Sequence, residues 1–260
     1  MFVNAIFCLS VPTSTRIPNT AGLLLRNAYP FKNVNLQIGV NSLKIEFSKS
    51  ITGLEIAKKI VVDFLNNIPG LSRIRISSIE PTTVTEVLFE YMSDTQHKLV
   101  PFFHLPLQSG SDSVLNKMRR RYSSSEYVDE VLKAYEAVPD LCIGTDVMVG
   151  FPEESHEEFE CTKNLLEELP IAYFHVFPFS ARKGTPAYYI EDQILPSVKH
   201  QRGEELRKLS IQKRHEFHSR FLGKIRKVLW ESPDSRGNIS GYTDNYIPVS
   251  YTHLRANETR

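Results

Sequence analysis

From about Leu54 onward the chain switches between two hydrophobic periods. Residues 54 to 67, LEIAKKIVVDFLNN, place Leu54, Ile56, Ala57, Ile60, Val61, Phe64 and Leu65 on one stripe and predict a helix. Asn67 with Pro69-Gly70 ends it. RIRISSI, from Arg73 to Ile79, alternates strictly and predicts a strand; Thr82 or Thr83 then caps a helix over TVTEVLFEYMSD, and LVPFFHLPL is the next strand. The order repeats with helices over SDSVLNKM and SSEYVDEVLKAYEAV, a strand over CIGTDVMVG, a helix over SHEEFECTKNLLEEL and a strand over AYFHVFPFS. Ser123 to Ser125 are candidate caps, and Ser155 followed by Glu158 forms a capping box. This alternation implies an α/β fold with parallel pairing and right-handed crossovers, either a doubly wound sheet or part of a barrel.

Beyond the last of these strands the pattern changes twice. A long polar, basic helix runs from about Ser197 to Leu222, followed near Gly223 by short β-like runs, IRKVLWE and GNISGYTDNYIPV, with turn residues between them. Residues 1 to about 40 show neither clear periodicity nor clean turn chemistry, and no internal repeat is present.

Composition narrows the function classes. The chain has 260 residues, 41% hydrophobic, with a formal net charge of +1, so any nucleic-acid contact must come from a local patch. No apolar stretch approaches membrane-spanning length, and no cation precedes the short apolar piece at the N-terminus, so a cytoplasmic location is expected. The three cysteines, Cys8, Cys142 and Cys161, are too scattered for a disulfide framework or a metal knuckle. Charge does gather on the long helix and just beyond it: Arg207, Lys208, Lys213, Arg214, Lys224 and Arg226 are the candidate RNA-binding residues.

In parallel α/β architectures, ligands bind outside the carboxyl ends of the strands. Those ends carry Ser77, Ser78 and Glu80; then Gln108, Ser109, Gly110, Ser111 and Asp112; then Gly150 to Glu154 after the strand containing Asp146; then Ser180, Arg182, Lys183 and Gly184. Each set taken singly suits a helix cap, with Ser111 or Asp112 opening one helix and Glu154-Ser155 another. Four such sets on one rim suit a ligand with hydroxyls and a zwitterionic tail. His104 and His175 lie within apolar strands and read as core or rim residues.

Five ordered runs, RIRISSIEP, HLPLQSGSD, KMRRRY, TDVMVGFPEES and HVFPFSARKGTPA, resemble the radical S-adenosylmethionine methylthiotransferases over about Gly39 to Val249. The SSIEP, RRRY and GYTDNYIPV forms are most similar to the branch acting on threonylcarbamoyl-adenosine in tRNA. Branches modifying isopentenyl-adenosine or a ribosomal-protein aspartate are less similar. The resemblance implies an N-terminal domain with one [4Fe–4S] cluster, a central partial (β/α) barrel with a second cluster and S-adenosylmethionine, and a C-terminal β-barrel, TRAM, that grips tRNA. It implies radical methylthiolation at the adenine C2, by a monomer.

Carried onto this chain, the resemblance makes Gly39, Asn41, Ser77, Ser78, Glu80, Gln108, Ser109, Asp146 and Gly150 the cofactor-binding residues. Glu153 stands where the family has an inner glycine. The expected domains are the partial barrel over 39–195, a linker helix over 196–222 and a partial TRAM domain over 223–249. Residues 1–38 and 250–260 are unlike the family, and the family's CxxxCxxC cluster motif has no counterpart. No catalytic residue and no metal ligand is therefore assigned, and the chain reads as a fragment unable to start the radical alone, with an exposed edge where the first barrel strands are missing. Two rival readings are a non-catalytic tRNA-binding fragment and an unrelated metal-free barrel enzyme.

Overall fold

The computed structural model describes residues 71–231 and 238–251, residues 62–63, 65–68 and 234–235, and the strands β1 (Phe2–Ser10), β2 (Val34–Ile38) and β3 (Ser42–Ser48). Gly39, Asn41 and most of the helix predicted over 54–67 lie outside the described residues, though Val62 and Leu65 are helical and buried.

The alternation predicted from Arg73 onward is present. Strand β4 (Arg73–Ser78) is followed by α1 (Glu86–Ser93), β5 (Phe102–His104), α2 (Asp112–Lys117), α3 (Ser124–Ala137), β6 (Cys142–Val149), α4 (His156–Glu168) and β7 (Tyr173–Pro178). β5, β6 and β7 pair in parallel, with Phe102 opposite Cys142 and Asp146 opposite His175. A parallel bridge from Ile74 to Leu99 ties β4 to the same sheet. Helix starts follow their capping signals: Ser123 with Glu126 and Ser155 with Glu158 both form reciprocal capping boxes.

One start differs from expectation. Pro81–Thr83 makes a tight 3-10 turn, and Thr83 Oγ1 donates to the Glu80 carbonyl at 2.8 Å. Helix α1 therefore begins three residues later, after Thr85. A proline with its fixed φ favours the local turn over an early helix entry.

The N-terminal strands were not anticipated. The sheet order is β2-β3-β1-β4, antiparallel throughout, so β1 covers the edge of β4. The expected bare edge at the first parallel strand is thus occupied. At the far side, α5 (Pro196–Ser219) runs along β7, where Ser210 Oγ accepts from the Phe174 N–H and donates to its carbonyl. That hydroxyl satisfies backbone groups that an edge strand would otherwise present to solvent.

The period-2 pattern sorts the parallel strands into two faces. Ile74, Ile76, Phe103, Ile143, Val147 and Phe174 point to the main core, beneath Leu88 of α1, Tyr127 and Val131 of α3, and Phe159 and Leu166 of α4. The opposite face carries Phe102, Cys142 and Ala172, packed on Phe217 and Phe221 at the end of α5. No helix among the described residues is long and apolar enough to cross a membrane.

A separate antiparallel sheet, β8 (Val228–Trp230), β9 (Ile239–Thr243) and β10 (Pro248–Tyr251), closes over that second face. Two arginines dock it. Arg73 donates to the Tyr242 and Lys227 carbonyls, each at 2.8 Å. Arg226 bridges Asp140, just before β6, and Asp244 in the β9–β10 turn. Arg226→Ala leaves two carboxylates without their cation and should cost about 2 kcal/mol. Hydrogen exchange measures this: residues 228–251 should lose protection ahead of the parallel sheet, and unchanged protection would contradict the docking role.

Candidate functional site

The strand ends singled out by sequence form a stiff rim. After β5 the chain is anchored by tyrosines from α3 and the turn before it: Tyr127 Oη donates to the Leu105 carbonyl at 2.9 Å, and Tyr122 Oη to the carbonyls of Pro106 and Leu107. Burial pushes the Tyr122 phenol up to about 12, so it remains a donor. Gln108 then takes a left-handed conformation, φ 70°, while its backbone pairs with Asp146 and Met148 of β6. A non-glycine residue held there beside a strand end is stored strain at a candidate ligand rim.

Ser109 has a different setting. It is fully buried, and its hydroxyl meets Thr162 Oγ1 of α4 and accepts from the Ser111 N–H. Gly110 packs so tightly on α4 that an added Cβ would lie 2.6 Å from Thr162 Cα. These contacts fix the loop and account for the Ser109 hydroxyl structurally.

At the next strand end, Gly150 has φ 70° and donates its N–H to Glu154 Oε2 at 2.7 Å. Glu154 is buried against Arg202 of α5; burial pushes its carboxyl up, opposed by that N–H and by the guanidinium. Glu153, in the position read as the family's inner glycine, is also left-handed at φ 64°, with its carboxylate on Lys117 at 3.0 Å. That backbone explains why a glycine suits the position. Ser78 and Glu80 sit partly exposed at the end of β4; the Ser77 side chain lies outside what is described.

The face turned toward the C-terminal sheet holds a cavity of about 580 Å³, between that face of the parallel strands, the end of α5 and the β9–β10 turn. Of the nominated cofactor residues that are described, only Asp146 lines it. His104 Nε2 lies 3.1 Å from Asp146 Oδ2, and the His104 and His175 rings are 6.0 Å apart. Gly144 makes room for the Tyr173 ring, which would meet an added Cβ at 2.5 Å. Arg75 also faces the cavity, its guanidinium 4.0 Å from the Tyr246 ring centre and 5.0 Å from that of Phe102. His104, His175 and Arg75 were not nominated from sequence. The available signal was strand parity, since Arg75, His104, Asp146 and His175 all fall on the non-core phase.

The basic residues divide. Arg207, Lys208 and Lys224 are exposed. Arg214 is exposed at the cavity mouth, 5.4 Å from the Tyr173 ring centre. Lys213 donates to the Leu169 carbonyl at the end of α4, and burial lowers its ammonium. Arg226 is held by its two aspartates.

The model of the Radical SAM superfamily matches residues 24–166, more than half of the chain. The chain belongs to the Radical SAM superfamily. Among curated relatives it is 38% identical, over 74% of its own length and 44% of the relative's, to the Bacillus subtilis threonylcarbamoyladenosine tRNA methylthiotransferase MtaB. It is 30% identical, over 95% of its length and 58% of the relative's, to the protein of the same name from Rickettsia prowazekii. A Thermodesulfovibrio yellowstonii tRNA-2-methylthio-N(6)-dimethylallyladenosine synthase is 36% identical over 76% of the chain and 46% of its own length. The chain spans about half the length of the curated relatives it matches.

A radical SAM protein implies a [4Fe–4S] cluster and S-adenosylmethionine. The described thiols do not fit a cluster. Cys142 is buried on the cavity face and burial pushes its thiol up to about 12, opposite to what a thiolate ligand needs. Cys161 is exposed on α4, which covers the other face of the sheet. Among the described residues no three His, Cys, Asp or Glu side chains converge as a metal site. The rim offers S-adenosylmethionine the partly exposed polar groups of Ser78, Glu80 and Gln108, while Gly150 is buried, with its N–H on Glu154 and the Lys199 side chain packed against it.

Burial holds His175 below the ordinary histidine value; Asp146 opposes this, while His104 and Arg214 reinforce it. Unfolded chain therefore takes up the proton first, and stability falls as pH drops through about 6.5. His175→Gln should reduce that acid sensitivity. Melting temperatures of both proteins above and below the histidine range provide the check, and identical pH dependence would contradict the assignment.

Proposed function

We propose that this chain is the central part of a tRNA methylthiotransferase, whose reaction places a methylthio group on C2 of threonylcarbamoyl-adenosine in tRNA. The observation that carries the reading is the Radical SAM match running through the very strands whose carboxyl ends form the rim. The 38% identity to a protein named for threonylcarbamoyladenosine stands slightly above the 36% to a dimethylallyladenosine synthase, which favours this base over isopentenyl-adenosine. S-adenosylmethionine sits against Ser78, Glu80, Gln108 and Gly150, with Asp146 below it and Gly39 and Asn41 completing the site. The loop after β5, braced by Tyr122 and Tyr127, holds Gln108 toward the cofactor at no reorganisation cost.

Transfer RNA lies along the exposed cations of α5 and the linker, Arg207, Lys208, Arg214 and Lys224, with the C-terminal sheet acting as the start of a TRAM domain. Lys213 and Arg226 support that surface from inside. The protein works in the cytoplasm as a monomer. With only Cys8, Cys142 and Cys161, the chain by itself does not assemble the radical cluster, so alone it binds without reacting.

Two measurements test this. Anaerobic reconstitution with iron and sulfide should yield no 4Fe–4S absorption band and no cleavage of S-adenosylmethionine; either signal would contradict the claim of inactivity. Affinity for tRNA should fall steeply with salt, and Lys208→Gln should reduce the log–log slope by about one. Salt-independent binding would exclude the RNA surface described.

A further inference from the structure

Among the described residues, the cavity carries two guanidinium groups with no carboxylate in contact. Arg75 and Arg214 both line it and make aromatic contacts, Arg75 between Tyr246 and Phe102 and Arg214 over Tyr173. Among the described residues neither guanidinium meets a carboxylate or a carbonyl acceptor. Among the described lining residues the one carboxylate is Asp146, and that already faces His104. Two guanidinium forks in a partly enclosed, aromatic-walled space are a recognition site for a planar anion.

Tyr246 adds a second observation. It stands in the left-handed region at φ 65°, where a bulky residue is costly. The turn holds it there from behind: Asn245, fully buried, donates to the Asp140 carbonyl, and Arg226 grips Asp244. The result is a Tyr242–Tyr246 stack, ring centres 4.5 Å apart, with Arg75 on its outer face. Strain maintained to press one aromatic ring against one guanidinium points to a pre-oriented binding group.

We infer that this cavity binds the modified base itself, with Arg75 and Arg214 gripping the carboxylate of its N6 side chain and Tyr173 and Phe217 flanking the purine. The inference rests on the function proposed above. A volume of about 580 Å³ is of nucleoside size. The pair of arginines then sets specificity: a threonylcarbamoyl group carries a carboxylate and an isopentenyl group carries none. A guanidinium pair with no carboxylate partner among the described residues favours the charged base and is left unsatisfied against the neutral one.

Calorimetry with the full chain tests it, using N6-threonylcarbamoyladenosine, its methyl ester, and adenosine 5′-monophosphate, with S-adenosylmethionine titrated separately. The free acid should bind about tenfold or more tighter than the ester. Arg75→Gln and Arg214→Gln should each shrink that ratio, and Lys133→Gln, on the far surface, should leave it unchanged. Because Arg214 is exposed, its variant remains informative should Arg75→Gln fail to fold. Equal affinity for acid and ester, or tighter binding of the monophosphate, overturns the inference; the methylthiotransferase reading survives if S-adenosylmethionine still binds. Loss of binding to S-adenosylmethionine and to tRNA alike would instead sink that reading.

Discussion

Everything on the cavity side of this molecule depends on one electrostatic clamp. Arg226 sits between Asp140 and Asp244, and Arg73 holds the carbonyls of Tyr242 and Lys227. A three-stranded sheet with so little core of its own is marginal in isolation. These charge-assisted bonds fasten it to the amino ends of the parallel strands, and only then do Tyr242 and Tyr246 become walls of a cavity. Burial and salt-bridging raise the stakes on Arg226: neighbouring carboxylates lift its already high pKa against the desolvation that lowers it, so it stays charged.

The opposite end of the strands is organised by backbone strain. Gln108 and Glu153, neither a glycine, adopt positive φ, the first held by β6 and the second by Lys117, while Gly150 takes its positive φ without strain and donates to Glu154 in the same loop. Rim and cavity share the β6 strand, with Asp146 between them. Such an arrangement suits a protein that presents one ligand at the carboxyl ends and another within the sheet's open face.

Much of the fold was legible in the sequence because local signals and tertiary context agree. Ser123, Ser155 and the two hydrophobic periods mark α3, α4, β6 and β7 where they occur. The N-terminal strands were not legible, since β1 pairs with β3 and β4 across long stretches of sequence, while β2 and β3 form a local hairpin with Ile38 opposite Leu43. The site divided in the same way. Loops after strands announce themselves by composition, whereas Ser109 turned out to brace a loop, and Lys213 and Arg226 to make internal contacts that charge counting cannot foresee. Arg75 and His175 looked like ordinary strand residues because their neighbours Ile74, Ile76, Phe174 and Val176 dominate the pattern. Their significance comes from which residues face them across the sheet and from the C-terminal turn.

The most direct measurement is a crystal structure of the chain with S-adenosylmethionine. The cofactor should lie at the carboxyl ends of β4 to β6, touching Gln108 and Gly150, with the Arg75 cavity left open. Cofactor bound inside that cavity, or away from the rim altogether, would contradict the division of the molecule into a cofactor end and a base-binding face.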